Sequence, residues 1–264
     1  MNEFLVKQDI VEVGKRMYAK GFVASNDGNI SVRIAANEII ITPTGISKGY
    51  MMPDDMLKVD LDGNVLSGHR KPSSEMKMHL TVYKNRTDVF AVCHAHPQKA
   101  TAFAVARQIC KEIALPEVIF SIGNVALSDY AAPSTEALPK SIEKIIKTTD
   151  AVLLANHGAL TIGGDVFDAY YKMETLEHFA GIIMYARQLG GEKGLSSDEI
   201  TELVRIRRDV FGKADFGYLG DGYCGGKAIS DSTENEKSIN QLVDMISSLI
   251  VKAIQDQENN NKLC

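Results

Sequence analysis

The chain has 264 residues, 45% of them hydrophobic and 24% charged, a balance typical of an ordinary globular protein with a substantial core. Its formal net charge of −5 argues against nucleic acid as a partner. No stretch approaches the roughly twenty apolar residues that span a bilayer, and no signal peptide is evident, so we expect no membrane partner. Four scattered cysteines without CxxC spacing fit a reducing compartment, and we expect a cytoplasmic protein.

Apolar residues at helical spacing predict a first helix over residues 3–20, which Gly21 ends. Short strand-like runs are predicted at residues 30–34, 38–42, 57–59, 89–93 and 151–155. Further helices are predicted at residues 73–84, 98–107, 136–147, 166–189 and 197–211. Residues 214–232 are predicted to form a loop that leads to a last helix over 234–255. This mixture favours a central, mostly antiparallel sheet with helices on its faces.

Three histidines stand at the ends of two apolar runs. His94 and His96 end the run 89–93, and alternation along a strand places both side chains on the same side, with Cys93 facing the other way. His157 ends the second run, 151–155. Three imidazoles delivered by strand ends suit a catalytic zinc ion, which takes three protein ligands and leaves one position open.

Three segments upstream of these histidines have the composition of an anion site: residues 27–31, 42–45 and 72–75. Each places a small hydroxyl or amide side chain beside glycine or proline, where backbone N–H groups can turn toward a ligand. Ser73 and Ser74 also open a predicted helix, whose N-terminus favours phosphate. The same residue pairs are equally ordinary as turns and helix caps, so phosphate binding is one of two interpretations.

Glu75 lies in the first turn of that predicted helix, and His79, four residues on, shares its face. One interpretation makes Glu75 a capping residue. The other projects its carboxylate from the phosphate-holding end of the helix toward the metal. A metal that polarises a carbonyl needs a nearby base to remove a proton from the adjacent carbon, and Glu75 is the candidate.

These segments, taken in order, resemble the class II aldolase/adducin-head family over residues 5–210. The resemblance implies a three-layer α/β/α fold around a mostly antiparallel, nine-stranded sheet, as a catalytic domain of residues 1–213. It also implies one zinc ion per subunit and a homotetramer with active sites at subunit interfaces. Residues 214–264 are then expected to form a loop and helix extension that packs on the same domain or on a neighbouring subunit.

The resemblance also assigns roles. It implies reversible cleavage of a phosphorylated ketose, such as L-fuculose 1-phosphate or a 5-deoxypentulose phosphate, into dihydroxyacetone phosphate and an aldehyde through an enediolate. Glu75 is the implied acid/base that protonates the enediolate. The implied zinc ligands are His94, His96 and His157, and the implied phosphate-binding residues are Asn29, Thr44, Gly45, Ser73 and Ser74.

The chain departs from the family pattern at one position. Phe120 stands where the aldolase pattern has a tyrosine that serves as the acid at the aldehyde oxygen, and phenylalanine cannot donate a proton. Tyr130 is a possible substitute as proton donor, and Tyr218 and Tyr223 are candidates to reach an adjacent site.

Three alternatives remain open. A sugar-phosphate dehydratase of the methylthioribulose-1-phosphate type need not use the missing tyrosine. A 4-epimerase is disfavoured because that pattern has aspartate in place of Glu75. An adducin-like, non-enzymatic scaffold is disfavoured further, since a scaffold has no physical need for three imidazoles and a carboxylate together.

Overall fold

The computed structural model describes residues 1–108 and 114–213. The helices of this part are α1 (Glu3–Ala19), α2 (Met76–Asn85), α3 (Gln98–Ala106), α4 (Pro116–Ser121), α5 (Ala137–Ile142), α6 (Val166–Gln188) and α7 (Ser197–Asp209). The strands are β1 (Asn29–Ala35), β2 (Glu38–Ile41), β3 (Leu57–Val59), β4 (Val65–Ser67), β5 (Ala91–Ala95), β6 (Val125–Ser128), β7 (Ala151–Leu154) and β8 (Gly158–Gly163). Among the described residues, no helix is both long enough and apolar enough to cross a membrane.

The strands form one sheet in the order β4-β3-β2-β1-β5-β8-β7-β6, and every neighbouring pair is antiparallel except β6 with β7. Strands β5 and β7 are both antiparallel to β8, so they run in the same direction and end at the same edge of the sheet. Strand β1 runs opposite to β5 and begins at that edge, with Asn29 paired to His94. One edge of the sheet therefore collects the end of β5, the end of β7 and the start of β1.

Helices cover both faces of the sheet. Ala91, Cys93 and Ala95 of β5 belong to a buried cluster that also contains side chains of α1, α3 and α6. Val92, one residue out of phase, belongs to a second cluster with side chains of α2 and α5. The predicted three-layer α/β/α arrangement is confirmed, and so is the prediction that Cys93 faces away from the histidines.

The prediction of nine strands is wrong, because the sheet formed by the described residues has eight. A further pairing does occur as an isolated antiparallel bridge between Pro43 and Pro72. Proline has no backbone N–H to donate to a ladder, so a strand cannot grow from this bridge. The bridge instead holds two loops together, because Thr44 N–H donates to Lys71 O and Ser73 N–H donates to Thr42 O.

Most of the predicted elements occur in the structure, but the strand predicted at 89–93 is β5, Ala91–Ala95, and two helices differ in extent. Helix α2 begins at Met76, not at residue 73, because the preceding residues are held by the proline bridge, and Glu75 occupies the N-cap position. The helix predicted over 136–147 is the shorter α5 followed by a 3-10 turn, Ile145–Lys147. Strands β4, β6 and β8 and helix α4 were not predicted. The predicted loop 214–232 and last helix 234–255 lie outside the described residues.

Candidate active site

The three histidines meet at the sheet edge where β5 and β7 end. Their ligand-type nitrogens lie within 4.8 Å of one another, and the Nε2 atoms of His94 and His96 are 3.2 Å apart. The Nδ1 of His94 lies 2.9 Å from Ala159 O, which can only accept, so Nδ1 carries a proton and Nε2 faces the site. The Nδ1 of His96 faces the Asp27 carboxylate at 3.5 Å, so this ring also presents Nε2 inward.

The turn between β7 and β8 delivers His157. Asn156 has a positive φ of 57°, the left-handed conformation that asparagine tolerates better than most residues, and this reverses the chain within two residues. Gly158 then allows a close approach, because a Cβ there would lie 2.5 Å from both Ala95 O and His96 Cδ2. The absence of a side chain at position 158 is therefore what lets the histidine rings come together.

Glu75 faces this group of imidazoles and is only 8% exposed. Its Oε2 lies 3.1 Å from His94 Nε2 and its Oε1 lies 3.2 Å from His157 Nε2, while Asn29 Nδ2 donates to Oε2 at 3.0 Å. Burial opposes ionisation, but the charge and hydrogen bond of His94, with His157 and the Asn29 amide, hold the pKa of Glu75 well below its usual range. The carboxylate is therefore ionised, as a base must be.

The imidazoles differ in charge because the Glu75 carboxylate outweighs burial only at His94. Although His94 is buried, the adjacent Glu75 raises its pKa. Burial and the nearby charge of His94 lower the pKa of His96, and they lower the pKa of His157 to about 4. His96 and His157 are therefore neutral, whereas His94 forms an ion pair with the Glu75 carboxylate.

The donor set fits a metal ion. Two ring nitrogens 3.2 Å apart, both directed inward, repel each other unless a proton or a cation lies between them. Within the part of the chain that the structure describes, Glu75 Oε1 and His157 Nδ1 are buried and have no hydrogen-bond partner. Converging neutral imidazoles are the ligands that zinc and other late first-row metals accept.

A pocket of about 220 Å³ opens beside the three imidazoles. Four of the five residues assigned to phosphate line it: Asn29, Thr44, Ser73 and Ser74. Glu75, His96 and His157 line the same pocket, so the carboxylate lies between the hydroxyl groups and the imidazoles. The structure thus brings together, in one cavity, residues that are far apart along the chain.

Gly45 follows Thr44 but does not line the pocket, and its φ of 76° explains why glycine stands there. Tyr130 is also outside the pocket lining and is 56% exposed. Phe120 lies on α4, where its ring packs against Phe211 at 5.1 Å. None of these three residues reaches the pocket of its own chain. Tyr218 and Tyr223 lie outside the described residues.

Lys48 and Ser134 line the pocket and were not predicted to do so, and neither was the contact between Asp27 and His96. Lys48 is buried, its Nζ donates to the carbonyls of Asn26 and Ile46, and burial lowers its pKa to about 8. Its only sequence signal was its place three residues after Gly45, which does not distinguish a buried lysine from an exposed one.

Residues 8–184 match the model of the family described as Class II Aldolase and Adducin N-terminal domain. The match spans more than half of the chain, and the fold and the site agree with it. The chain belongs to this family, and it is an enzyme of the lyase class.

Curated relatives differ in the reaction that their names give. The L-fuculose phosphate aldolase of Methanococcus maripaludis is 35% identical over 172 residues, 65% of this chain and 92% of the relative. The 5-deoxy-D-ribulose 1-phosphate aldolase of Bacillus thuringiensis is 32% identical, covering 75% of this chain and 93% of the relative. The 3-oxo-tetronate 4-phosphate decarboxylase of Haemophilus influenzae is 30% identical, covering 77% of this chain and 98% of the relative. A solved structure of an L-fuculose 1-phosphate aldolase superimposes with a TM-score of 0.71 at 31% identity, over 76% of this chain and 94% of that one.

The close approach at Gly158 gives a testable prediction. Gly158→Ala should push the His96 ring out of position, lower zinc affinity by at least about tenfold, and cost about 1–3 kcal/mol of folding free energy through overpacking. Competitive zinc titration and thermal melting measure the two effects. Gly164→Ala is the matched control, because a Cβ there would meet nothing within 4 Å. Wild-type zinc affinity in folded Gly158→Ala protein would contradict the geometry.

Proposed function

We propose that this protein is a zinc-dependent class II aldolase that reversibly cleaves a phosphorylated ketose into dihydroxyacetone phosphate and an aldehyde. L-Fuculose 1-phosphate and 5-deoxypentulose phosphates are the candidate substrates, supported by the names of two relatives. The observation that carries the proposal is the position of the ionised Glu75, between three converging imidazoles and a pocket lined by hydroxyl and amide groups.

His94, His96 and His157 would hold the zinc ion. When bound, zinc supplies Lewis-acid stabilisation of the negative charge that develops on the substrate oxygens, an effect worth several kcal/mol on general grounds. Three imidazoles with an open fourth position are the ligand set of catalytic zinc sites, which favours zinc over other imidazole-binding metals. Asp27, 3.5 Å from His96 Nδ1, would keep that ring turned toward the metal.

The proposed phosphate site uses hydrogen-bond donors from loops joined by the proline bridge. The hydroxyls of Thr44, Ser73 and Ser74 and the amide of Asn29 line the pocket. Gly45 does not line the pocket, but its positive φ shapes the turn that follows Thr44. The buried Lys48 ammonium adds the positive charge that the dianion needs.

Glu75 would transfer the proton to and from the hydroxymethyl carbon of dihydroxyacetone phosphate. In the cleavage direction, the hydroxyl group beside the breaking bond loses its proton to solvent as the aldehyde forms, and the electron pair of the carbon–carbon bond remains on the dihydroxyacetone phosphate fragment as an enediolate. Glu75 takes up a proton from solvent and delivers it to that carbon. In the reverse direction, the Glu75 carboxylate removes the proton from the hydroxymethyl carbon. The hydrogen bond from Asn29 and the contacts with two imidazoles hold the carboxylate in place for this transfer.

Decarboxylation of a phosphorylated 3-oxo acid is the second candidate, and Phe120 favours it. Loss of carbon dioxide leaves the same kind of enediolate and needs no acid at an aldehyde oxygen, the function that the family assigns to the tyrosine absent here. The relative named 3-oxo-tetronate 4-phosphate decarboxylase aligns over 77% of this chain at 30% identity. The dehydratase and 4-epimerase remain alternatives within the family.

The homotetramer with active sites at subunit interfaces and the cytoplasmic location remain part of this proposal. Large apolar side chains stay exposed on α1 and the turns beside it, at Phe4, Leu5, Tyr50 and Met52. Such exposure is typical of subunit contacts. A subunit contact would also allow a neighbouring chain to supply the missing acid.

The test is proton exchange on dihydroxyacetone phosphate, in heavy water with zinc-loaded protein, followed by NMR. The aldolase proposal predicts stereospecific, enzyme-dependent loss of one hydroxymethyl proton. Because decarboxylation forms the same kind of enediolate, exchange is paired with product analysis, and the aldolase should also cleave L-fuculose 1-phosphate or a 5-deoxypentulose phosphate to dihydroxyacetone phosphate and an aldehyde. Release of carbon dioxide from a phosphorylated 3-oxo acid, without cleavage of these ketose phosphates, would contradict the aldolase and establish the decarboxylase.

Glu75→Gln should abolish that exchange while zinc stays bound, because glutamine keeps the shape but cannot accept the proton. We expect a loss of at least about 100-fold, the usual contribution of a general base. Glu136→Gln, at the exposed N-cap position before α5, is the control and should exchange at the wild-type rate. Undiminished exchange in Glu75→Gln would remove this residue from the mechanism.

His96→Ala should lose zinc and activity together, since it removes one of three ligands. Metal content after dialysis and the exchange rate measure the two losses. His178→Ala replaces an exposed histidine on α6 and should change neither. Retained activity in His96→Ala protein shown to hold no metal would disprove the proposed site.

A further inference from the structure

A series of buried hydrogen bonds leads from Tyr83, near the C-terminal end of helix α2, to Glu75. The hydroxyl of Tyr83 lies 2.8 Å from Ser31 Oγ, which lies 2.7 Å from His79 Nδ1. The Nε2 of His79 lies 2.5 Å from Asn29 Oδ1, and Asn29 Nδ2 donates to Glu75 Oε2 at 3.0 Å. All five side chains are buried.

The direction of every hydrogen bond in this series follows from the contact between its last two residues, Asn29 and Glu75. Asn29 Nδ2 donates to Glu75 Oε2, so the amide oxygen of Asn29 faces His79. His79 Nε2 must then donate, which leaves Nδ1 to accept from the hydroxyl of Ser31. Ser31 Oγ in turn accepts from Tyr83. Each donor therefore points toward Glu75, an arrangement in which successive bonds strengthen one another.

The charge states of His79 and Tyr83 are consistent with this direction. Burial, with the nearby charge of His94, lowers the pKa of His79 to about 3, so the ring is neutral and carries one proton. Burial raises the pKa of the Tyr83 phenol far above its usual range, so this group remains a donor. The guanidinium of Arg33 lies 5.0 Å from the centre of the Tyr83 ring and helps to fix it.

We propose that His79 is a positioning residue, which holds the Asn29 amide so that only N–H groups face the substrate phosphate and Glu75. This inference rests on the proposed function and deepens it. Asn29 Nδ2 has two protons; one is donated to Glu75, and the other is available to the pocket that Asn29 lines. One amide would thus contact both the phosphate and the base.

A reversed amide would damage both contacts at once. Its oxygen would face two anions, the Glu75 carboxylate and the phosphate, and its nitrogen would face the protonated Nε2 of His79. The hydrogen bond from His79 therefore makes the pocket selective for anionic groups and sets the position of Glu75 through the same side chain.

The test compares His79→Leu with His79→Gln in zinc-loaded, full-length protein, using calorimetric titration with inorganic phosphate. Leucine removes the donor to Asn29, and we expect phosphate affinity to fall about tenfold, the effect of losing one charge-assisted hydrogen bond. Glutamine places an N–H group where Nε2 was, so it should keep affinity within about threefold of the wild type. Ser31→Ala leaves His79 free to change tautomer and should give an intermediate loss even if His79→Leu fails to fold.

Tyr170→Phe is the control, because it removes a buried tyrosine hydroxyl from α6, outside this chain of hydrogen bonds. Wild-type phosphate affinity in folded His79→Leu or Ser31→Ala, or an equal loss in His79→Gln and His79→Leu, would overturn the inference. Wild-type protein that does not bind phosphate would overturn it together with the proposed phosphate site. Phosphate binding that depends on His79, without proton exchange on dihydroxyacetone phosphate, would support the inference and contradict the aldolase.

Discussion

The site depends on burial of one ionised carboxylate among imidazoles. Glu75 lies almost out of contact with solvent, and an isolated buried charge is costly unless it is compensated. His94, His157 and the amide of Asn29 supply that compensation. Their approach requires β5 and β7 to end at the same sheet edge, and it requires Gly158 where any side chain would collide with His96. The sheet order and this glycine therefore determine the chemistry that is possible here.

Two different parts of the fold build the two halves of the pocket. Strand ends position the imidazoles, whereas the bridge between Pro43 and Pro72 joins the loops that carry Thr44 and Ser73. Glu75, at the start of α2, lies where these halves meet. Asn29 connects them, because it begins β1 beside His94, lines the pocket and donates to Glu75. A carbon–carbon bond held between phosphate and metal would therefore lie next to the base.

Much of the site could be predicted because local patterns encode it. Strand alternation placed His94 and His96 on one side and Cys93 on the other, and the apolar run before His157 indicated a second strand end. The start of α2 was predicted too early because the proline bridge, a long-range contact, holds the preceding residues. The roles of Lys48 and His79 were not predictable, since burial and the orientation of the Asn29 amide arise only from tertiary packing.

X-ray absorption at the zinc edge of the zinc-loaded protein identifies the residues that hold the metal. We expect one zinc ion per chain with three imidazole nitrogens at about 2.0–2.1 Å, from His94, His96 and His157. The same measurement on Glu75→Gln should keep all three. A zinc spectrum with fewer than three imidazoles, or with sulfur ligands, would show that this cluster is not the metal site and would contradict the account.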